Sequence, residues 1–139
     1  MKKGPLLNAQ LSHEIALLGH TDRIVIADAG LPIPQGVTRI DLALTQNVPG
    51  FIQTLSIILA EMVVERVTLA NELRHMNPNL FEEVETLIIK TGIDTNQEIE
   101  IEYCSHDHFK HEVMQSGCVV RTGECSPFAN IILHAGVTF

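Results

Sequence analysis

No tryptophan occurs in the 139 residues, and aromatic side chains make up only 4% of them. A core built with so few rings has to be assembled from Ile, Leu and Val. Basic residues are also scarce, 9 against 17 acidic, for a formal net charge of −8. Nucleic-acid binding needs clustered Lys and Arg against the phosphates, so that partner class is excluded, and an anionic membrane surface is disfavoured equally. No apolar run approaches the ~20 residues of a membrane span. The opening "MKKGPLLNAQLSHE" starts with two lysines, but Asn8, Gln10, Ser12 and His13 break its apolar stretch, which is too polar for a signal-peptide core. The three cysteines, Cys104, Cys118 and Cys125, show no regular spacing and read as reduced thiols of a cytoplasmic protein. A Gly-rich phosphate loop is missing as well. The nearest stretch is "AGLPIPQG", whose prolines remove backbone donors.

What is present suffices for one domain, residues 1–139, with 45% hydrophobic and 19% charged residues. The partner class left open is a neutral or cationic small molecule, or another protein. Leu11, Ile15 and Leu18 recur at helical spacing behind Asn8 as N-cap, with Gly19 as a stop. "RIVIAD" (23–28) holds a short apolar run rich in β-branched residues, the pattern of a strand covered on both faces. "VTRIDLAL" (37–44) predicts a second strand, and "VPGFIQTLSIILAEM" (48–62) a helix with Pro49 in its first turn. "VVERVTLAN" (63–71) returns to strand character. "NPNLFEEVETLIIKTG" (77–92) is a helix capped by Asn77 and stopped by Gly92. "QEIEIEYC" alternates as a half-exposed strand, Ser105 caps the helix "HDHFKHEVMQSG", and "CVVRTG" and "NIILHAG" close the chain as strands. About six strands interleaved with four helices predict an α/β three-layer sandwich with a mixed or mainly parallel sheet. Ligands of such folds collect outside the carboxyl ends of the strands.

Asp28 ends the most apolar strand and so stands at such a position. It suits a carboxylate that receives hydroxyls or orients an imidazole, and it suits equally an Asx-type turn. His20 follows Gly19 just before the same strand. An imidazole there is equipped for general acid–base work, and the plainer alternative is a loop histidine with local hydrogen bonds. His106, His108 and His111 invite a metal reading. On a helix only His108 and His111 are neighbours, and no third-ligand motif accompanies them, so no metal is expected. The loop "GECSPFANIILHAG" offers Glu124, Ser126 and Asn130, the last able to donate and accept together. Cys125 has no cationic activator nearby and reads as a buried or half-buried inert thiol. Arg39 and Asp41 share strand parity, and pairing with each other is the simplest reading of them.

The stretches "LGHTDxxVIADAGLPIPxGVxRIDLALT" and "IEYxSHxxFK…VVRTGECSPFANIILxAGVTF", with "MKKGxLLN" and the final "AGVTF", resemble the family that contains D-ribose pyranase and L-fucose mutarotase. The resemblance runs essentially end to end and lies nearer the ribose member. It implies interconversion of six- and five-membered ring forms of a free sugar, D-ribose first, with no cofactor and no metal. It places the proton donor on His20 and sugar contacts on Asp28, His106, Phe128 and Asn130, with Lys110 near the pocket mouth because "SHxxFK" is kept as a unit. It also implies a ring-shaped homodecamer of two stacked pentamers with sites between subunits. The family pattern reads "SPYAN" where this chain reads "SPFAN": a contact through the phenol leaves Phe128 only a ring face to offer, and a contact through the backbone is unaffected. A strand over 23–28 separates His20 from Asp28 by roughly 20 Å at ~3.3 Å per residue. Either the chain folds back around Thr21 and Asp22, or His20 and Asp28 meet through contributions of different subunits, and the second is the expectation.

Overall fold

The computed structural model covers residues 1–139. Helix α1 (Ala9–Leu17) leads into β1 (Arg23–Ala27) and β2 (Thr38–Asp41), followed by α2 (Phe51–Leu59), β3 (Val64–Ala70), α3 (Asn71–Met76) and α4 (Pro78–Thr95). Then come β4 (Glu100–Cys104), α5 (His106–Val113), β5 (Cys118–Arg121) and β6 (Ile131–Ala135). The strands form one six-stranded sheet in the order β2-β5-β1-β6-β3-β4. Pairings are parallel except those of β6 with β1 and β3, so β6 alone runs against the rest.

The apolar run of β1 lies near the middle of this sheet, and Ile24 to Ala27 are fully buried. Ile24 and Ile26 enter the larger core, with Leu11, Leu55, Leu73 and Val84 of α1 to α4. Val25 and Ala27 enter a smaller core with Phe109 and Val113 of α5. A sheet between two helical layers is the expected three-layer architecture. Burial on both faces explains why β1 shows no polar alternation. The side chains of Asn8, Asn77 and Ser105 accept from the N–H groups of Leu11, Leu80 and His108 at 2.8, 3.4 and 3.2 Å, which makes all three the expected N-caps.

The structure departs from expectation in its helix ends. A fifth helix, α3, has six residues, too few to show a period. Helix α4 runs past Gly92 to Thr95 and ends on Asn96 in the left-handed region at φ 53°. Gly92 is required for close approach, because a Cβ there would stand 2.7 Å from the carbonyl oxygen of Gln97. Pro49 lies just outside α2, whose N-cap is Gly50, and α1 ends before Gly19, on Leu18. The second strand covers only residues 38–41, a short edge strand.

Candidate active site

The C-terminal ends of β1 to β5 and the start of β6 lie at one end of the sheet, where Asp28 and Asn130 meet. Asn130 is fully buried, and its Nδ2 donates to Asp28 Oδ2 at 2.8 Å while its Oδ1 accepts the Asp28 backbone N–H at 2.9 Å. The second carboxylate oxygen of Asp28 accepts from the Gly30 N–H at 2.9 Å. The Asx-type turn is thus present, and its carboxylate is held by an amide as well. One oxygen closes the turn and the other is held by an amide. Half-buried and fixed at both oxygens, Asp28 keeps lone pairs for a hydroxyl donor.

His106 is the first residue of α5, directly after the N-cap Ser105. Its backbone N–H donates to Glu72 Oε2 at 2.9 Å, joining the ends of β3 and β4. Phe128 meets the His106 ring edge-on, with centroids 5.0 Å apart. Nδ1 of His106 is buried and has no hydrogen-bond partner within the chain. Buried nitrogens are normally paired, so this atom is suited to a ligand hydroxyl. Phe128 lies in the left-handed region at φ 62°, a position costing a non-glycine residue on the order of 1–3 kcal/mol. Its carbonyl accepts the Asn130 N–H at 2.8 Å, so the strained turn delivers Asn130 to Asp28. Lys110 stands one turn along α5 from His106, and its ammonium pairs with Asp107 at 2.8 Å. That pairing holds the Asp107 carboxyl below its usual range.

The loop ahead of β6 is braced from below. Glu124 accepts the N–H groups of Phe51 at 3.2 Å and Ser126 at 3.1 Å. Burial pushes the Glu124 carboxyl up, but these and neighbouring hydrogen bonds outweigh it and leave the group below its ordinary value. A Cβ on Gly123 would lie 2.4 Å from the Thr45 carbonyl oxygen, so only glycine permits this crossing. Asp41 does not pair with Arg39. It takes Arg121 of the neighbouring strand at 3.0 and 3.1 Å, and Arg121 Nε also donates to the Ala29 carbonyl at 3.0 Å. Glu72 and Arg121 escaped sequence reading because their partners come from other strands, and strand order leaves no local signal.

His20 stands at the opposite end of the sheet. Its Nε2 lies 2.8 Å from Glu65 Oε2; the His20 side chain is exposed and that of Glu65 half-buried. Five extended residues of β1 separate it from Asp28, a span of roughly 17 Å. Asp28, His106, Phe128 and Asn130 therefore gather at one end, Lys110 stands nearby on α5, and His20 is apart from all of them within one chain.

The family profile described as "RbsD / FucU transport protein family" matches residues 1–138. The chain belongs to this family. A curated relative from Haemophilus influenzae, named D-ribose pyranase, is 52% identical over 139 residues and is covered completely, as is this chain. Among solved structures, Bacillus subtilis RbsD complexed with D-ribose is similar at TM-score 0.91 and 46% identity, with both chains covered in full. The fucose mutarotase from Streptococcus pneumoniae in complex with L-fucose is similar at TM-score 0.82 and 26% identity, also in full.

Two further features of this RbsD / FucU chain bear on the site. The face of the sheet beside α5 carries a polar cavity of about 430 Å³ with Arg23, Arg66, Thr68, Glu102, Glu112 and His134. Its charges are internally matched, Arg66 with Glu102 at 3.0 Å and Arg23 with Glu112. Burial, with Arg66 and Arg23 beside it, pushes the His134 imidazole down to about 4. Second, no group of three or more His, Cys, Asp or Glu side chains is placed to hold a metal. Among the thiols, burial pushes Cys118 up to about 12, whereas Cys125 is exposed, contrary to expectation, because its loop turns outward at residues 125–127.

Proposed function

We propose that this chain is a D-ribose pyranase, an isomerase that converts the six-membered ring of free ribose into the five-membered one and back. The chemistry is proton movement. The C1–ring-oxygen bond breaks as that oxygen gains a proton and the anomeric hydroxyl loses one, giving the open-chain aldehyde. Closure by a different hydroxyl reverses both transfers. The reading assigns the proton for the departing ring oxygen to His20, since an imidazole can give a proton in one direction and take it back in the other. Asp28, Asn130 and His106 hold hydroxyls, Phe128 walls the sugar and Lys110 borders the mouth. The observation that carries the reading is the cluster of amide-held Asp28 and unpaired His106 Nδ1 at the carboxyl end of the sheet.

His20 lies too far from Asp28 to serve the same pocket in one chain, which supports a site completed by a neighbouring subunit. We take the assembly to be a homodecamer of two stacked pentamers, and the 139 residues to act as one sugar-handling domain. Unpaired cysteines and the absence of any helix long and apolar enough to cross a membrane accord with a cytoplasmic location. The family's description as a transport protein favours one second reading, a noncatalytic sugar-binding accessory.

NMR exchange spectroscopy on ribose separates the two. Native protein is expected to speed exchange between pyranose and furanose signals. His20→Ala is expected to slow that catalysed exchange by about 10²–10⁴-fold. Native protein that binds ribose yet leaves exchange at the uncatalysed rate would establish the accessory reading. Sedimentation at the mass of ten 15.4 kDa chains tests the assembly.

A further inference from the structure

Two backbone irregularities converge at the N-terminal end of the sheet, and each serves one side chain. Thr21 sits in the left-handed region at φ 70°, in a turn closed by the Asp22 N–H on the Gly19 carbonyl at 3.1 Å and by the Gly19 N–H on Asp22 Oδ2 at 2.8 Å. This turn is anchored to the end of β6, where the Thr21 N–H donates to the Ala135 carbonyl and the Ala135 N–H to the Asp22 carbonyl, both at 2.8 Å. Together these bonds fix the backbone that carries His20.

On β3 the register against β6 shifts between Val64, opposite Ala135, and Arg66, opposite His134. Glu65 is the extra residue of that bulge. A bulge re-aims a side chain and recurs beside functional sites. Here Val64 and Val67 both remain in the larger core, which regular alternation would forbid, and Glu65 is freed to reach His20. Gly136 lets the chain pass this point closely, since a Cβ on it would stand 3.0 Å from Val63 Cγ1 and 3.4 Å from Glu65 Cβ. The outcome is the 2.8 Å contact between Nε2 and Oε2.

We propose that Glu65 is the positioning residue for His20, holding the imidazole with Nε2–H on the carboxylate and leaving Nδ1 to exchange a proton with the sugar. This rests on His20 being the proton donor. A carboxylate on the far nitrogen selects the tautomer, sets the ring direction and accompanies the imidazolium that must exist before each donation. In the proposed step the imidazolium gives its Nδ1 proton to the ring oxygen as the C1–O bond breaks, and the anomeric hydroxyl releases its proton to water as the aldehyde carbonyl forms. The Nε2 proton stays on the ring nitrogen, donated in a hydrogen bond to Glu65, so Glu65 neither gains nor loses a proton and touches no reacting atom.

The test compares native protein, H20A, E65A and E65Q by ribose exchange NMR, with ¹⁵N shifts of the His20 ring as a second readout. E65A is expected to lower kcat by roughly ten- to a hundredfold with KM unchanged, a smaller loss than that of the general acid itself. E65Q, whose amide oxygen still accepts Nε2–H without the charge, is expected to lose roughly tenfold or less. The native neutral ring is expected as the Nε2–H tautomer and the E65A ring as a mixture. Native activity in E65A beside an inactive H20A overturns the proposal and leaves the His20 reading standing. Native activity in H20A overturns both. An Nδ1–H tautomer in the native protein overturns the role of Glu65 whatever the rates, and because E65Q is isosteric it decides the kinetic question if E65A does not fold.

Discussion

The two ends of the sheet are built to different standards. At the carboxyl end, Asn130 is fully buried, Asp28 is held at both oxygens and Phe128 accepts a left-handed backbone to aim its neighbour. That end is braced by hydrogen bonds made within one chain. At the amino end, an exposed His20 meets a half-buried Glu65, the two fixed by a turn, a bulge and each other. On the proposed reading His20 is a proton donor presented outward, of use only to something that comes to meet it. The contrast teaches what the proposed function requires of each end: a braced pocket at one and a projecting imidazole at the other.

The largest expected effect breaks this division directly. His20→Ala and Asp28→Asn chains are each expected to be nearly inactive alone, yet unfolding and reassembling them together should restore about a quarter of the native exchange rate, since random pairing gives that share of intact sites. Absence of any recovery would mean that both residues act in the same chain. Next, Asn130→Ala attacks the carboxyl end alone. It leaves the Asp28 N–H and one carboxylate oxygen without their partner and should cost about 1–3 kcal/mol in urea unfolding together with ribose affinity. His20→Ala should leave the urea midpoint almost unchanged, because its side chain is exposed. Equal stability losses in the two variants would erase the contrast.

The amino end also holds His134, whose imidazole lies near 4 in the folded protein against 6.5 ordinarily. The folded state therefore holds fewer protons than the unfolded one between these values. Its contribution is full above about pH 6.5 and is lost as pH falls toward 4, amounting to no more than about 3 kcal/mol. Urea midpoints of native protein and His134→Gln across that window should converge as pH falls. A native midpoint flat with pH would contradict this. The smallest effect is expected of Phe128→Tyr, which adds the phenol of the family pattern. A rise in kcat/KM of less than about tenfold, the worth of one neutral hydrogen bond near 1 kcal/mol, would leave the ring as the main contribution of residue 128.

Most of the fold was legible because its signals are local. Asn8, Asn77 and Ser105 announce helix starts through their own side chains, and the unbroken apolar run of β1 announces burial on both faces. Helix stops were read less well. Gly19 and Gly92 look like terminators, but Gly92 answers a clash with Gln97, which only the folded-back chain reveals. The six-residue α3 is shorter than the period that would disclose it.

For the site, the sequence determined the chemistry available: an apolar strand bracketed by His20 and Asp28, a loop ending in Asn130, and a capped helix opening on His106. It determined as well that the first two could not meet across a straight strand, because the rise per residue is a property of the backbone. Tertiary structure alone decided the pairings. Asn130 on Asp28, Glu72 on His106, Arg121 on Asp41 and Glu65 on His20 all join residues distant in sequence. Each depends on strand order and register, and the single bulge that turns Glu65 toward His20 is a count of residues in one strand against another. Such a count exists only once the strands are side by side.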